Sequence, residues 1–238
     1  MNIDLNNLNI DYDEVLRYLE YNGQNLSEDL KETINQCINI TKNKINPRYM
    51  LRVYPIERKV KENTKGNEVF TVKLKGTNVE LESKDVFKLL EGCSECALIA
   101  TTLGVDVERE IRRNTYSDLT KGIIIDSCAT TAIEEVCDSI ENNIKEDLLK
   151  KGKYITSRYS PGYGDLPIEA NTLLINLLGA QNKIGLTITE NNIMIPRKSV
   201  IAIIGISEAK KINNKKSCLS CDKYETCKYR KEVEGCGN

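Results

Sequence analysis

The 238-residue chain has a formal net charge of -1, so no overall electrostatic field draws it to nucleic acid or to a membrane surface. Histidine is absent, which excludes a Ser-His-Asp triad, a histidine-ligated zinc site and a histidine general base. The N-terminus does not have the pattern of a signal peptide and no apolar run reaches membrane length, so we expect a cytoplasmic protein.

The N-terminal region predicts two helices that begin at capping residues. Residues 1–10 are rich in asparagine, and we expect this segment to be loosely held. Asp11 or Asp13 can cap a helix that runs to about Tyr21. Ser27 is followed by two acidic residues, which favour the positive end of a helix dipole, so a second helix is predicted to start there.

A small antiparallel sheet is predicted next, from the alternating stretches M-L-R-V-Y-P-I-E, V-F-T-V-K-L-K and V-E-L-E. Ser83 then begins a short helix that closes at Gly92. Cys93 and Cys96 form a C-x-x-C pair that invites a redox interpretation. The strongly apolar strand that follows, ending at Gly104, favours buried and inert thiols instead.

The remaining pattern alternates long helices with short strands. A charged helix is predicted over 105–116, and a long helical region runs from Asp118 to about Lys151, with Gly122 as a point where it could be interrupted. Later strands are predicted at 154–157, 184–189, 193–195 and 199–206. The fold class expected from this order is α+β, with antiparallel strands and long helices.

A turn-rich loop, Arg158 to Pro167, separates the first of these later strands from a short helix capped by Gly179. Arg158 offers a bidentate fork to a carboxylate, and Tyr159 and Tyr163 offer stacking faces. This combination is suited to a small ligand that has a carboxylate and a flat ring. A tight surface turn without a ligand is the alternative interpretation.

This loop, R-Y-S-P-G-Y-G-D-L-P, resembles the R-x-x-P-G-Y-x-x-x-P signature of the activation domain of cobalamin-dependent methionine synthase. The resemblance continues downstream through T-L-L-I-N-L-L-G-A, I-G-L-T-I-T-E and K-S-V-I-A-I-I-G-I-S. Upstream it includes V-L-R-Y-L-E-Y-N-G, A-T-T-L-G and A-T-T-A-I-E-E-V. It covers roughly residues 12–208, and we therefore expect residues 11–208 to form an activation domain-like region.

That family binds S-adenosylmethionine and supports the reductive remethylation of oxidised cobalamin, and the resemblance implies both for this chain. It implies that Arg158 holds the methionyl carboxylate and that Glu134, or alternatively Glu135, meets the amino group. The implied pocket residues are Ser160, Pro161, Gly162 and Tyr163. Because the chain has no histidine, it has no histidine-containing cobalamin motif. Cobalamin would reside on a separate methionine synthase or other corrinoid methyltransferase, with an electron donor such as flavodoxin or ferredoxin.

Residues 209–238 form a basic tail with a cysteine cluster, Cys218, Cys221, Cys227 and Cys236. Four thiolates with short spacings can hold tetrahedral zinc or an iron–sulfur cluster. Iron–sulfur is favoured because the implied chemistry needs an electron, with zinc or free thiols as alternatives. Two rival functions follow: an iron–sulfur activator of corrinoid proteins, and a non-enzymatic zinc-bearing module whose basic tail touches RNA or DNA.

Overall fold

The computed structural model describes residues 8–62, 64, 66–209 and 225. The described chain divides into two compact units. The first lies within Met1–Pro47 and Leu103–Ser139, and the second lies within Arg48–Thr102 and Ile140–Ile212. Each unit is therefore built from segments that are distant in the sequence.

The described elements confirm the α+β class, with antiparallel strands and long helices. The helices are α1 (Tyr12–Tyr18), α2 (Glu28–Lys44), α3 (Lys84–Leu89), α4 (Val105–Ser117), α5 (Leu119–Leu149), α6 (Ala170–Leu178) and α7 (Ala180–Ile184). The strands are β1 (Arg48–Glu62), β2 (Glu68–Leu74), β3 (Glu80–Glu82), β4 (Glu95–Thr102), β5 (Tyr154–Ile155), β6 (Thr187–Ile188), β7 (Met194–Ile195) and β8 (Ser199–Ser207).

In the first unit, helices α1 and α2 begin directly after Asp11 and Ser27, two of the capping residues considered from the sequence. The Asp11 carboxylate accepts a hydrogen bond from the Glu14 amide at 2.9 Å, and the Ser27 hydroxyl accepts one from the Leu30 amide at 3.3 Å. Each bond satisfies an amide that has no partner within its own helix. Leu8 is also buried, so the chain contributes to the core of this unit before the first helix begins.

The core of the first unit is aliphatic and contains buried thiols. Its fully or almost fully buried side chains include Val15, Ile34, Cys37, Val107, Ile125, Cys128, Ala132 and Val136. Burial raises the pKa of the Cys128 thiol to about 12, and it also raises the pKa of the Cys37 thiol. Both thiols therefore stay protonated at neutral pH and pack as small apolar groups.

Helix α5 is continuous through Gly122, so the interruption considered there is absent. The glycine has a different role, because it allows α4 and α5 to approach closely. A Cβ atom on Gly122 would lie 2.7 Å from the amide nitrogen of Thr115 and 2.8 Å from its Cα atom. Those are backbone atoms, which cannot rotate away as the end of a side chain could.

The second unit contains a six-stranded antiparallel sheet with the order β3-β2-β1-β4-β8-β5. Strand β1 belongs to two successive ladders. Its first half pairs with β4, from Arg48 opposite Thr102 to Pro55 opposite Glu95. Its second half pairs with β2, and the strand therefore extends farther along the chain than the alternating apolar pattern predicts.

One face of this sheet packs into an apolar cluster with the helices that follow the signature loop. The cluster contains Leu98 and Ala100 of β4, Ile201 and Ile203 of β8, and the side chains Leu174, Leu178, Ile184 and Leu186. Cys96 also lies in it, and burial raises the pKa of its thiol to about 12. The structure thus favours the inert interpretation of the C-x-x-C pair over the redox one.

The segment after α6 differs from the predicted strand over 184–189. Gly179, in the left-handed conformation, ends α6 as predicted, but Ile184 is the last residue of α7 and not the first of a strand. Strand β6 is limited to Thr187 and Ile188, which pair with β7. Among the described residues, no helix is both long enough and apolar enough to span a bilayer.

Candidate functional site

The signature loop, residues 158–167, begins beside β8, the strand next to the edge strand β5 in the six-stranded sheet. Tyr159 and Ile203 exchange two backbone hydrogen bonds, each 2.9 Å long. The amide of Thr156 donates at 2.9 Å to the carbonyl of Gly205, which follows Ile203 by two residues in β8. The chain therefore enters the loop from a fixed position on the sheet.

Within the loop, the backbone closes on itself. The Gly162 amide donates to the Leu166 carbonyl at 2.9 Å, and the Leu166 amide donates to the Tyr163 carbonyl at 3.1 Å. The Leu166 side chain is buried in the apolar cluster of the second unit. These bonds and this anchor hold a compact turn at the surface.

Asp165 joins the loop to the start of α3, whose residues lie 80 to 82 positions earlier in the sequence. Its carboxylate accepts hydrogen bonds from the Ser83 hydroxyl, from the Lys84 amide at 2.7 Å and from the Asp85 amide at 3.2 Å. Burial would raise the pKa of Asp165, but these three donors outweigh it and lower the pKa below its usual value. Asp165 thus acts as an additional cap on α3 from a distant part of the chain.

Replacing Asp165 by asparagine should lower the melting temperature at pH 7, because a neutral amide accepts these bonds more weakly than a carboxylate. Loss of a helix cap costs about 0.5 to 2 kcal/mol. Since the folded pKa is depressed, the carboxylate stabilises the fold above its unfolded pKa and loses that contribution as the pH falls through the folded pKa. Scanning calorimetry from pH 7 down to about pH 3 should show the two proteins converging in acid.

The matched control for this pH series is Glu190→Gln, which changes an exposed carboxylate of the second unit. This variant should follow the wild-type melting curve at every pH. A constant difference between wild type and Asp165→Asn across the whole pH range would contradict the assignment of the charge to Asp165.

Tyr159 is buried beneath the loop and holds it by a hydrogen bond, so the prediction that its ring is an exposed stacking face was wrong. Its side chain is buried, and its hydroxyl donates to the Tyr163 carbonyl at 3.0 Å and lies 3.2 Å from a carboxylate oxygen of Asp85. Burial and the neighbouring Asp85 carboxylate raise the pKa of Tyr159 well above its usual value, so the phenol stays protonated. Gly164 has a φ of +51°, and a Cβ atom there would collide with the Asp85 carboxylate and the Tyr159 hydroxyl.

Tyr163 remains a candidate stacking face, since its side chain is 69 % exposed. Ser160 is half-buried, Pro161 is buried and Gly162 is exposed. The side chain of Ile168 packs beside Gly162, within 3.8 Å of the position of a Cβ atom on that glycine. The loop therefore presents one aromatic ring and a short stretch of accessible backbone.

Arg158, at the start of the loop, forms an ion pair that the sequence did not indicate. Its Nη1 atom donates to Oε2 of Glu141, in the last third of α5, at 3.1 Å. The side chains are only 11 % and 17 % exposed, so the pair is shielded from most of the solvent. Arg158 is therefore a nearly buried cation whose orientation is fixed before the loop begins.

Glu134 and Glu135 lie in the first unit, whereas Arg158 and the loop belong to the second. Both glutamates are half-buried. Burial raises the pKa of Tyr18, and the nearby Glu134 carboxylate raises it further. Burial also raises the pKa of Glu135, with additional contributions from Asp138 and Asp11. The assignment of either glutamate to a ligand's amino group stays a prediction.

The predicted metal ligands, Cys218, Cys221, Cys227 and Cys236, lie outside the described residues. Within the part of the chain that the structure describes, no group of three or more His, Cys, Asp or Glu residues is arranged to hold a metal ion. The described cysteines, Cys37, Cys93, Cys96, Cys128 and Cys137, are all free thiols.

Comparison with known proteins identifies the family. A solved structure described as the MetH reactivation domain bound to AdoHcy shares the fold, with a TM-score of 0.55 and 14 % sequence identity over 84 % of this chain and 71 % of that chain. No curated protein matches the sequence. A family model, vitamin B12 dependent methionine synthase, activation domain, matches residues 96–229, more than half of the chain. With the R-x-x-P-G-Y signature inside the matched region, the chain belongs to the activation domain family of vitamin B12-dependent methionine synthase.

Proposed function

We propose that the chain binds S-adenosylmethionine at the signature loop and supports the reductive remethylation of cobalamin that a separate methyltransferase holds. The observation that carries this proposal is the nearly buried Arg158 at the start of the loop. Its guanidinium is oriented by an ion pair with Glu141, and Asp165 near the end of the loop is held by the Lys84 amide. Family membership and the AdoHcy-bound structure of the same fold support the choice of ligand.

The residues of the loop fit the methionyl end and the flat ring of such a ligand. The Arg158 guanidinium is oriented by Glu141 and can bind the carboxylate through two parallel hydrogen bonds. The exposed ring of Tyr163 can cover a flat base, and the segment from Ser160 to Gly162 can shape the pocket between them. The family resemblance implies that Glu134 meets the amino group, and that assignment stays a separate prediction.

The contribution of the chain to the reaction is positioning. Cobalamin, which is a substrate here, accepts the sulfonium methyl group after gaining one electron from a reductant, and S-adenosylhomocysteine is released. The chain contains no histidine, so we assign cobalamin to a partner protein and the electron to a donor such as flavodoxin or ferredoxin. A loop that holds the sulfonium in a fixed orientation makes the methyl transfer effectively intramolecular within the complex.

Remethylation should require this protein and S-adenosylmethionine together. A cobalamin-dependent methyltransferase from the same source is held as cob(II)alamin with a reductant, and its visible spectrum is followed under anaerobic conditions. Adding both components should convert the spectrum to that of methylcobalamin, because irreversible methyl transfer draws the unfavourable reduction forward. Omission of either component should leave the spectrum unchanged.

Conversion at the same rate without the protein would contradict this role. So would a failure to convert any candidate corrinoid methyltransferase while calorimetry shows that S-adenosylmethionine is bound. S-adenosylhomocysteine, which lacks the transferable methyl group, serves as the matched control ligand and should give no conversion.

For the tail, we propose an iron–sulfur cluster on Cys218, Cys221, Cys227 and Cys236, on the grounds of their spacing and of the electron that the reaction needs. Protein purified without oxygen should be brown and contain iron and sulfide in comparable amounts. Cys221→Ser should lose the colour, whereas Cys37→Ser, which changes a buried thiol of the first unit, should keep it. Stoichiometric zinc without iron would instead favour a zinc-bearing module.

A further inference from the structure

A polar cavity lies in the first unit, between the end of α2 and the side of α4. Its volume is about 440 Å³, which is within the range of small-molecule sites. One wall contains Lys44, the last residue of α2, and the other contains the α4 residues Asp106, Arg109, Glu110 and Arg113. The signature loop belongs to the second unit, so an inference drawn from this cavity does not rest on the proposed function.

The wall of this cavity contains a buried carboxylate, that of Glu110, which is only 8 % exposed. Its Oε1 atom accepts a hydrogen bond from the side-chain amide of Asn114 at 2.9 Å, which fixes its orientation. Its Oε2 atom lies 4.0 Å from Nζ of Lys44 and 3.9 Å from Nη1 of Arg113. Both distances exceed the usual length of an N–H···O hydrogen bond, about 2.7 to 3.2 Å, so an additional oxygen atom can bridge the carboxylate and either cation.

A bridging oxygen atom in this position must accept a hydrogen bond from a cation and also donate one to Glu110. A hydroxyl group does both, whereas an oxygen atom without a hydrogen would be repelled by the carboxylate. Arg109 already pairs with Asp106 at 3.1 Å. Around Glu110 the lining then has one more positive than negative charge, from Lys44 and Arg113, and this excess favours an anion that retains a hydroxyl group.

Phosphate is an anion of this kind. At about pH 6, inorganic phosphate retains at least one proton and about half of a phosphomonoester retains its second proton, whereas sulfate has lost both. We infer that the cavity binds a protonated phosphate group. Its P–OH group donates to Oε2 of Glu110, and its other oxygen atoms accept hydrogen bonds from Lys44 and Arg113. The group can belong to inorganic phosphate or to a phosphomonoester, and the cavity has room for either.

The test is calorimetric titration of the full chain at about pH 6 and low salt with inorganic phosphate, glycerol 3-phosphate and sulfate. At least one of the two phosphate ligands should bind about tenfold more tightly than sulfate, because sulfate cannot donate a hydrogen bond to Glu110. Tighter binding of glycerol 3-phosphate would identify a phosphomonoester as the ligand, and tighter binding of the inorganic ion would identify free phosphate.

Glu110→Gln should abolish this discrimination, since the new amide can donate a hydrogen bond to an oxygen atom that has no hydrogen. Sulfate should then bind the variant more tightly than wild type, a gain that unfolding cannot produce. Arg113→Ala removes a guanidinium that is 77 % exposed, and it should weaken phosphate binding by about tenfold with little change in the melting curve. Arg112→Ala changes an exposed neighbour on α4 outside the cavity lining and should have no effect.

Absence of binding of both phosphate ligands to wild type at millimolar concentration would overturn the inference, because solvent alone would then fill the gap beside Glu110. Equal affinities of wild type for phosphate and sulfate would also overturn it, and so would an unchanged phosphate affinity in folded Arg113→Ala. If Glu110→Gln does not fold, these two measurements decide between the outcomes. The affinity for S-adenosylmethionine is titrated separately, and none of these results changes it.

Discussion

Replacing Arg158 by alanine should weaken the binding of S-adenosylhomocysteine by about thirtyfold or more. Truncating one partner of a desolvated charge pair costs on the order of 2 to 5 kcal/mol, and 1.4 kcal/mol corresponds to a tenfold change in affinity. The change removes the planar fork that would bind the carboxylate, together with the 3.1 Å ion pair that orients it. Calorimetric titration at low salt gives the affinity directly.

Two further variants make this measurement specific. Arg158→Lys keeps a positive charge but loses the planar fork, so its affinity should fall between those of wild type and Arg158→Ala. Arg109→Ala removes a guanidinium that is 77 % exposed in the first unit and should leave the affinity unchanged. Equal affinity in wild type and folded Arg158→Ala would move the carboxylate contact to another residue.

Replacing Gly122 by alanine should lower the melting temperature by several degrees. Alanine favours a helix by about 1 kcal/mol relative to glycine, but overpacking of a close contact typically costs about 1 to 3 kcal/mol. Here the added methyl group would meet the backbone of Thr115 at 2.7 to 2.8 Å, so relief requires a shift of α4 from α5. We therefore expect the steric cost to exceed the gain in helix propensity.

The adjacent position provides the control for Gly122→Ala. Ile123 lies in the same turn of α5, but its side chain is 52 % exposed. Ile123→Ala should therefore change the free energy of unfolding by about 0.5 kcal/mol or less. If Gly122→Ala is as stable as Ile123→Ala, the two helices do not approach as closely as the structure indicates.

The local features of this fold follow from the sequence because their causes lie within a few residues. Ser27 and Ser83 were predicted as helix starts, as was either Asp11 or Asp13, and the structure selects Asp11. Each of the three capping side chains, Asp11, Ser27 and Ser83, accepts a hydrogen bond from the amide three residues later. Gly179 was predicted as a helix end and adopts the left-handed conformation. The predicted start of a strand at Ile184 was wrong, because a short apolar run fits the end of a helix equally well.

The contacts that build the candidate site could not be predicted, because they join residues far apart in the sequence. Asp165 reaches Ser83 across 82 positions, and Arg158 reaches Glu141 across 17. Residue type gave no indication of these partners, since other acidic residues were equally available. The turn chemistry of the loop predicted a candidate site there, but the direction of the Tyr159 ring depends on how the loop packs over the sheet.

The hydrogen bonds between Asp165 and the start of α3 should affect both the rate of ligand association and the entropy lost on binding. Because the Lys84 and Asp85 amides, the Tyr159 hydroxyl and the Leu166 side chain all hold the loop, its shape is determined by the chain itself. The conformational entropy of ordering its backbone, about 1 to 2 kcal/mol per residue, is already spent in folding. Association should therefore proceed in a single kinetic phase, without a slow rearrangement, and most of the contact energy should be retained as affinity.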